Sequence, residues 1–115
     1  IVSRLAGKAP VIVFSRGTLG SLEHLVKTGA QFLSVDWAVD LEDIRNRMPA
    51  QMGIQGNLDP AVLTSTPVVA ARETNRILET MRGFQRYIFN LGHGVSKDAK
   101  LENIESVVTT VRNFQ

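Results

Sequence analysis

The residue best suited to chemistry is His93, which stands between Gly92 and Gly94 directly after the apolar run at 87–89. Glycines on both sides remove side-chain bulk and allow a sharp turn, so a ligand can approach the imidazole closely. An imidazole titrates near neutral pH and can donate a hydrogen bond to a carboxylate or transfer a proton. The same position also suits a turn histidine without a chemical role, and position alone does not separate the two.

Two further candidates stand where predicted strands end. Asp36 is followed by Trp37, and the pair suits either ligand binding or loop support. We favour loop support, in which the carboxylate accepts backbone amides and the indole packs at the rim. Phe14 ends the first predicted strand and is either a core residue or the wall of a binding pocket, and the sequence leaves both open.

Other polar residues have structural explanations. Asn57 and Asp59 precede Pro60 and suit a turn and a helix cap. His24 lies inside a predicted helix, and we interpret it as structural. Ser15 has no identifiable histidine partner, so a serine nucleophile is not supported.

The sequence lacks the residues that several classes of functional site require. The absence of cysteine excludes disulfides, thiolate zinc sites and a cysteine nucleophile within this chain. The two histidines have no metal-ligand spacing. The segment 17–20 (GTLG) matches neither a dinucleotide fingerprint nor a phosphate-binding loop. The sequence therefore predicts no metal and no nucleotide cofactor.

Composition restricts the partners. The 115 residues are 43% hydrophobic and 21% charged, which is typical of a single globular unit over residues 1–115. The net charge is +2, and the 13 Lys and Arg residues are scattered rather than clustered as a nucleic-acid site requires. No apolar run is long enough for a membrane span. We therefore expect neither a nucleic-acid partner nor a membrane partner, while a polyanionic small molecule stays compatible with the charge.

The elements that must position these residues alternate between strand and helix. Short β-branched and aromatic runs predict strands near residues 11–14, 32–36, 52–55 and 86–90. Between them, Leu22 and Val26 belong to a helix that stops at Gly29, and Ile44 belongs to a helix that stops before Pro49. Residues 1–5 are interpreted as the end of an earlier helix.

Two longer helices follow. The first covers about 67–82, with apolar residues on or near one face at Val68, Ala71, Leu78 and Met81. The last helix carries an apolar stripe at Leu101, Ile104, Val107, Val108 and Val111.

These patterns predict an α/β fold made of four βα units. Strands that are joined through helices run parallel, and their crossovers are right-handed. Four such units fit either an open doubly wound sheet or half of a (β/α)₈ barrel, and periodicity does not choose between them. Both architectures place function at the carboxyl ends of the strands.

Four short motifs follow one another in this chain, each at a predicted strand exit or the turn after it. They are FSRG at 14–17, VDW at 35–37, GNLDP at 56–60 and NLGHG at 90–94. In order and spacing they resemble the uroporphyrinogen decarboxylase family, over about Pro10 to Phe114. The resemblance favours the barrel, and implies that the chain is the C-terminal half of a TIM (β/α)₈ barrel.

The resemblance also implies a function. Members of the family are lyases of haem and porphyrin biosynthesis that decarboxylate the four acetate side chains of uroporphyrinogen III to give coproporphyrinogen III, without any cofactor. A protonated pyrrole ring serves as the electron sink for the loss of carbon dioxide. The histidine of the family's LGHG motif contacts the substrate, which implies substrate binding as the first role of His93 and proton transfer as the second. A hydrogen-bonding imidazole suits a substrate with eight carboxylates.

Other residues of the family's site belong to a preceding part of the barrel, so the resemblance implies no catalytic residue within this chain. A (β/α)₈ barrel needs about 250 residues. We therefore expect this chain to be a portion of a larger enzyme and to be inactive alone. For the full-length protein, the resemblance implies a cytoplasmic homodimer.

Two other functions stay open. Barrel methyltransferases of the same superfamily use zinc thiolates, and the lack of cysteine argues against them. A non-catalytic α/β interaction module is the second alternative. An aspartate and an arginine cluster upstream would favour the decarboxylase.

Overall fold

A computed structural model describes the whole chain, residues 1–115. Its four strands form one sheet, and all of them are parallel. They are β1 (Ile12–Ser15), β2 (Phe32–Val35), β3 (Gly53–Leu58) and β4 (Tyr87–Leu91). Their spatial order is their chain order, β1-β2-β3-β4, so each crossover leads to the adjacent strand. A doubly wound sheet would reverse direction somewhere in this order, and this sheet does not.

Helices precede, connect and follow the strands. They are α1 (Val2–Leu5), α2 (Thr18–Val26), α3 (Leu41–Arg47), α4 (Pro67–Thr80) and α5 (Leu101–Asn113). A short 3-10 helix, Pro60–Thr64, lies between β3 and α4. Asp59 caps it by accepting a hydrogen bond from the Ala61 amide at 2.9 Å, which confirms the predicted cap. None of the helices combines the length and the apolar character that crossing a bilayer requires.

The helices cover one face of the sheet only. Leu33, Val35 and Ile54 point to this face and are almost completely buried in the core. Alternate residues point to the opposite face, where Phe14 and Ile88 are 46% and 38% exposed. Since successive side chains of a strand point to opposite faces, one side of the sheet is a packed core and the other is open. Hereafter this second side is called the open face.

The predicted strands are confirmed in number, direction and approximate place, but the third was drawn too short. It was predicted over 52–55 and extends over Gly53–Leu58. Asn57, which precedes Asp59 and Pro60, was interpreted as a turn residue. In the structure Asn57 is buried within β3 and lies opposite Asn90 of β4. Its side-chain hydrogen bonds, described below, explain why a turn-forming residue is placed in a strand.

The apolar stripes of the last two helices were partly wrong. Val68, Leu101 and Val108 are exposed rather than packed. In their place the helices bury two polar residues, Thr74 and Asn103. The Asn103 side chain donates a hydrogen bond to the Leu63 carbonyl at 2.8 Å. A polar residue that satisfies a buried backbone group in this way cannot be distinguished by hydropathy from one that faces water.

Candidate functional site at the strand exits

The carboxyl ends of the four strands meet at one edge of the sheet, as parallel pairing requires. A depression of about 230 Å³ lies there on the open face and extends to the loop after β4. It is lined by residues of β1, β2 and the β4 exit, namely Phe14, Ser34, Asn90, Leu91, His93 and Gly94. We call it the strand-exit depression.

His93 lies at the rim of this depression with an exposed imidazole. Its ring meets the Phe14 ring edge-to-face, with 6.2 Å between centroids and 77° between planes. The sequence places both residues at strand exits, and the structure brings them together. Phe14 is therefore positioned as a wall beside the imidazole rather than as a core residue.

Gly92 fixes the loop that carries His93. Its amide donates to the Leu58 carbonyl at 2.8 Å, which continues the β3–β4 pairing. A Cβ atom at this position would lie 2.3 Å from the backbone nitrogen of Trp37, closer than any real contact. Only glycine lets the β4 exit approach the β2 exit this closely. Gly94, by contrast, has nothing within 4 Å of such an atom, so its lack of a side chain is not a packing requirement.

Asp36 is buried, with 8% of its surface exposed, and joins the loops after β1 and β2. One carboxylate oxygen accepts a hydrogen bond from the Ala38 amide at 3.1 Å, and the other accepts one from the Gly17 amide at 3.3 Å. The hydrogen bond from Ala38 lowers the pKa of Asp36 most, burial opposes it, and the Gly17 amide and the charges of Arg16 and His93 lower it further. Asp36 is thus ionised and accepts loop amides, as predicted, while Trp37 lies half exposed at the rim.

Three residues that sequence analysis did not select complete this framework. Thr18 is fully buried, donates to the Ser15 carbonyl at 2.8 Å and accepts from the Asp36 amide at 3.4 Å. Asn57 donates from its amide nitrogen to the carbonyls of Asp36, at 3.0 Å, and Val39, at 2.7 Å. The Tyr87 hydroxyl donates to the Gly56 carbonyl, and burial raises the pKa of Tyr87.

The sequence contained only one indication that Thr18, Asn57 and Tyr87 support the site. All of them stand within a few residues of a predicted strand exit, where loop-supporting side chains are common. Asn57 bonds carbonyls of the β2 exit loop, Thr18 bonds the amide of Asp36 there, and Tyr87 bonds a carbonyl within β3. No sequence pattern displays such partners from other elements. The result is a set of exit loops fixed to one another by buried hydrogen bonds.

The chemistry of this arrangement is recognition rather than nucleophilic attack. The depression combines an aromatic wall, the Ser34 hydroxyl and the His93 imidazole, and no serine or lysine is paired with a base there. No group of three or more metal-ligating side chains is assembled in the structure. A planar or anionic ligand that stacks on Phe14 and hydrogen-bonds to His93 fits these properties.

A larger groove of about 590 Å³ lies elsewhere, on the outer side of α2 and next to the end of α3. His24 is among its lining residues and is exposed on α2, with no hydrogen bond from its side chain. Because this groove contains no residue of a strand exit, its size does not make it the functional site.

Comparison with known proteins gives a consistent result. The family model for uroporphyrinogen decarboxylase (URO-D) matches residues 1–114. A uroporphyrinogen decarboxylase of Vesicomyosocius okutanii is 40% identical over 105 residues, which are 91% of this chain and 30% of that protein. One from Picrophilus torridus is 41% identical over 105 residues, covering 91% of this chain and 31% of that protein.

A third relative, a uroporphyrinogen decarboxylase of Trichodesmium erythraeum, is 38% identical over 115 residues and covers 98% of this chain. The chain spans 32% of the length of that relative, so these proteins are about three times longer than the segment they share with it. The family match covers every strand and helix of the structure, from α1 to α5. This chain belongs to the uroporphyrinogen decarboxylase family.

Proposed function

We propose that the protein to which this chain belongs is a uroporphyrinogen decarboxylase, a carboxy-lyase that converts the four acetate side chains of uroporphyrinogen III to methyl groups. Family membership supports this activity. The observation that carries it in the structure is His93 at a strand exit, edge-to-face with Phe14 over an open depression. A tetrapyrrole offers both a ring edge for the aromatic wall and carboxylates for the imidazole.

In this proposal the primary role of His93 is to bind substrate, and proton transfer is its second-choice role. Phe14 forms a wall of the pocket. No residue of this chain is assigned the catalytic step, because the depression pairs no strong acid or base with an opposing charge. Protonation of a pyrrole ring makes that ring the electron sink for the loss of carbon dioxide, so the substrate supplies what a cofactor otherwise would.

We propose that residues 1–115 form the C-terminal portion of a larger barrel domain. The uncovered open face and the two free edges, β1 and β4, support this arrangement, because additional parallel strands would extend both edges. For the complete protein we further propose a cytoplasmic homodimer, on the strength of the family resemblance. The absence of cysteine leaves the thiolate chemistry of related methyltransferases without a ligand in this chain.

The test is an anaerobic assay of the full-length protein with uroporphyrinogen III. We expect the stepwise appearance of products with seven, six, five and four carboxylates, ending at coproporphyrinogen III. Purified, folded protein that releases no carbon dioxide from this substrate, with no metal or cofactor added, would contradict the proposal.

A further inference from the structure

The arginines of this chain differ in whether their guanidinium groups are occupied. Most have an acidic, carbonyl or aromatic partner within the chain, namely Arg45, Arg47, Arg72, Arg76, Arg82 and Arg86. Arg4, Arg16 and Arg112 have no such partner. Of these three, only Arg16 stands at a strand exit, directly after β1.

Arg16 lies close to the strand-exit depression. It follows Phe14 by two residues, so the two Cα atoms are at most about 7 Å apart. The Phe14 ring is in turn 6.2 Å from the ring of His93. The side chain of an arginine is long enough to bridge a distance of this size. Arg16 and His93 thus stand on two different exit loops, each near Phe14.

The backbone around Arg16 is fixed although its side chain is exposed. On one side, the Ser15 carbonyl accepts a hydrogen bond from the Thr18 hydroxyl at 2.8 Å. On the other, the Gly17 amide donates to Asp36 at 3.3 Å. Gly17 has φ of 63°, a left-handed conformation that glycine adopts without strain. The Cα of Arg16 is thus held in place. A ligand that binds the guanidinium therefore has to order only the side chain, which lowers the entropic cost of binding.

Asp36 lies within electrostatic range of Arg16 and His93 but forms no ion pair with Arg16. The charges of Arg16 and His93 both contribute to the lowered pKa of Asp36, after the larger effects of the Ala38 amide, burial and the Gly17 amide. Both side chains therefore lie within electrostatic range of one carboxylate. Yet the two oxygens of Asp36 are occupied by backbone amides, and no ion pair forms with Arg16. The guanidinium keeps its donors available for an external group.

We propose that Arg16 is a second substrate-binding residue, whose guanidinium pairs with one carboxylate of a polycarboxylate substrate while His93 binds near another. A guanidinium presents two parallel N–H donors that match a carboxylate, which gives orientation as well as attraction. The inference rests on the proposed function, and it adds a specificity determinant: the loop after β1 selects ligands with several carboxylates. Asp36 holds the backbone next to Arg16 in place by accepting the hydrogen bond from the Gly17 amide.

The test compares variants of the full-length protein with uroporphyrinogen III. Loss of one charge-assisted hydrogen bond at an exposed site should raise KM about tenfold in Arg16→Ala, with kcat nearly unchanged. Arg16→Lys keeps the charge without the two-pronged geometry and should recover part of the loss. Arg112→Ala removes an equally unpartnered arginine from the end of α5 and serves as the matched control. The increase in KM should also shrink at high salt.

The outcomes separate the two hypotheses. A wild-type protein that leaves uroporphyrinogen III unchanged overturns the proposed function and this inference together. An active wild type with a wild-type KM in Arg16→Ala overturns the inference alone, as does a fall in kcat at unchanged KM. Circular dichroism verifies folding, and should Arg16→Ala fail to fold, the KM of Arg16→Gln decides in its place.

Discussion

At the scale of single residues, His93 has few contacts that serve the fold. Its imidazole is exposed, and its side chain makes no hydrogen bond within the chain. His93→Ala in the full-length protein should therefore leave folding intact and lower kcat/KM for uroporphyrinogen III by about 10- to 150-fold, the value of one hydrogen bond to a charged group.

A second histidine supplies the control for this experiment. His24→Ala changes an exposed histidine on α2, outside the strand-exit depression, and should leave the kinetics unchanged. Equal kinetics of wild type and His93→Ala, with both folded, would remove His93 from the site.

The lowered pKa of Asp36 leads to a prediction about the stability of the protein in acid. Its pKa is lowered in the folded state, chiefly by the Ala38 amide and despite its burial. An aspartate with a lowered folded-state pKa stabilises the fold above its ordinary pKa, and that stabilisation disappears as pH falls through the lowered value. Below about pH 4, the ordinary pKa of an aspartate, the urea midpoint of wild type should fall more steeply than that of Asp36→Asn, which has no proton to take up.

The titration of other acidic groups does not affect the difference between wild type and Asp36→Asn. Glu73 and Glu79 also have lowered pKa values, through hydrogen bonds from Arg76 and Arg82 respectively, but they titrate alike in wild type and variant. Parallel acid profiles for the two proteins would show that the carboxylate of Asp36 is not linked to stability.

At the scale of elements, the loops after β2 and β4 are joined by a contact that only a glycine permits. A methyl group in Gly92→Ala would overlap the backbone of Trp37, whose nitrogen lies 2.3 Å from the added atom. Forcing these loops apart should lower the free energy of unfolding by about 1–3 kcal/mol, as overpacking does. Gly94→Ala is the control, since nothing lies within 4 Å of its added atom.

Urea unfolding of full-length wild type, Gly92→Ala and Gly94→Ala measures this difference. The Gly94 variant should lie within about 0.5 kcal/mol of wild type. Equal stability of all three proteins would mean that the β2 and β4 loops relax without loss, and that their close approach does not constrain His93.

The sequence predicted strands and helices correctly where apolar character alone determines them. Each strand was located from a short apolar run, and the predicted and observed limits of β1 differ by one residue. The prediction failed where a polar side chain satisfies a distant backbone group. Asn57 extends β3 because its amide serves two carbonyls of the β2 loop, and Asn103 replaces an apolar residue in α5 because it serves Leu63.

The candidate site was predictable to the same degree. The rule that parallel strands expose function at their carboxyl ends was enough to select His93, Phe14 and Asp36. It did not show that the rings of His93 and Phe14 touch, because that contact joins the first strand to the last exit loop. Contacts of this kind depend on sheet order and register, which local patterns do not encode.

At the scale of the whole molecule, two parts of the sheet have no partner within this chain, namely its two edges and its open face. Its edge strands, β1 and β4, each pair with one neighbour and leave the other row of N–H and C=O groups unpaired. Its open face exposes large apolar side chains, including Ile12, Phe14 and Ile88. Burial of such surface is worth about 25 cal/mol per Å². Edges and face together favour association with further strands.

We therefore predict that the chain of 115 residues, prepared alone, neither decarboxylates uroporphyrinogen nor stays monomeric at micromolar concentration. The expected lack of turnover follows from the proposed function, which assigns no catalytic residue to this chain. Two copies would supply eight parallel strands, so a dimer that closes on itself is one form the association can take; pairing with the rest of the barrel, or aggregation, are the others.

Light scattering with an activity assay tests this prediction, and two matched substitutions locate the surface. Ile88→Lys puts a charge on the open face, whereas Val108→Lys puts the same charge on α5 at nearly equal exposure, 38% against 41% for the native side chains. Only Ile88→Lys should reduce association, because only the open face loses water when strands join. A stable monomeric wild type would refute the argument from the sheet edges and the open face. Equal association of both variants would show that the contact lies outside the open face. Measurable turnover would show that residues outside this chain are not required for activity.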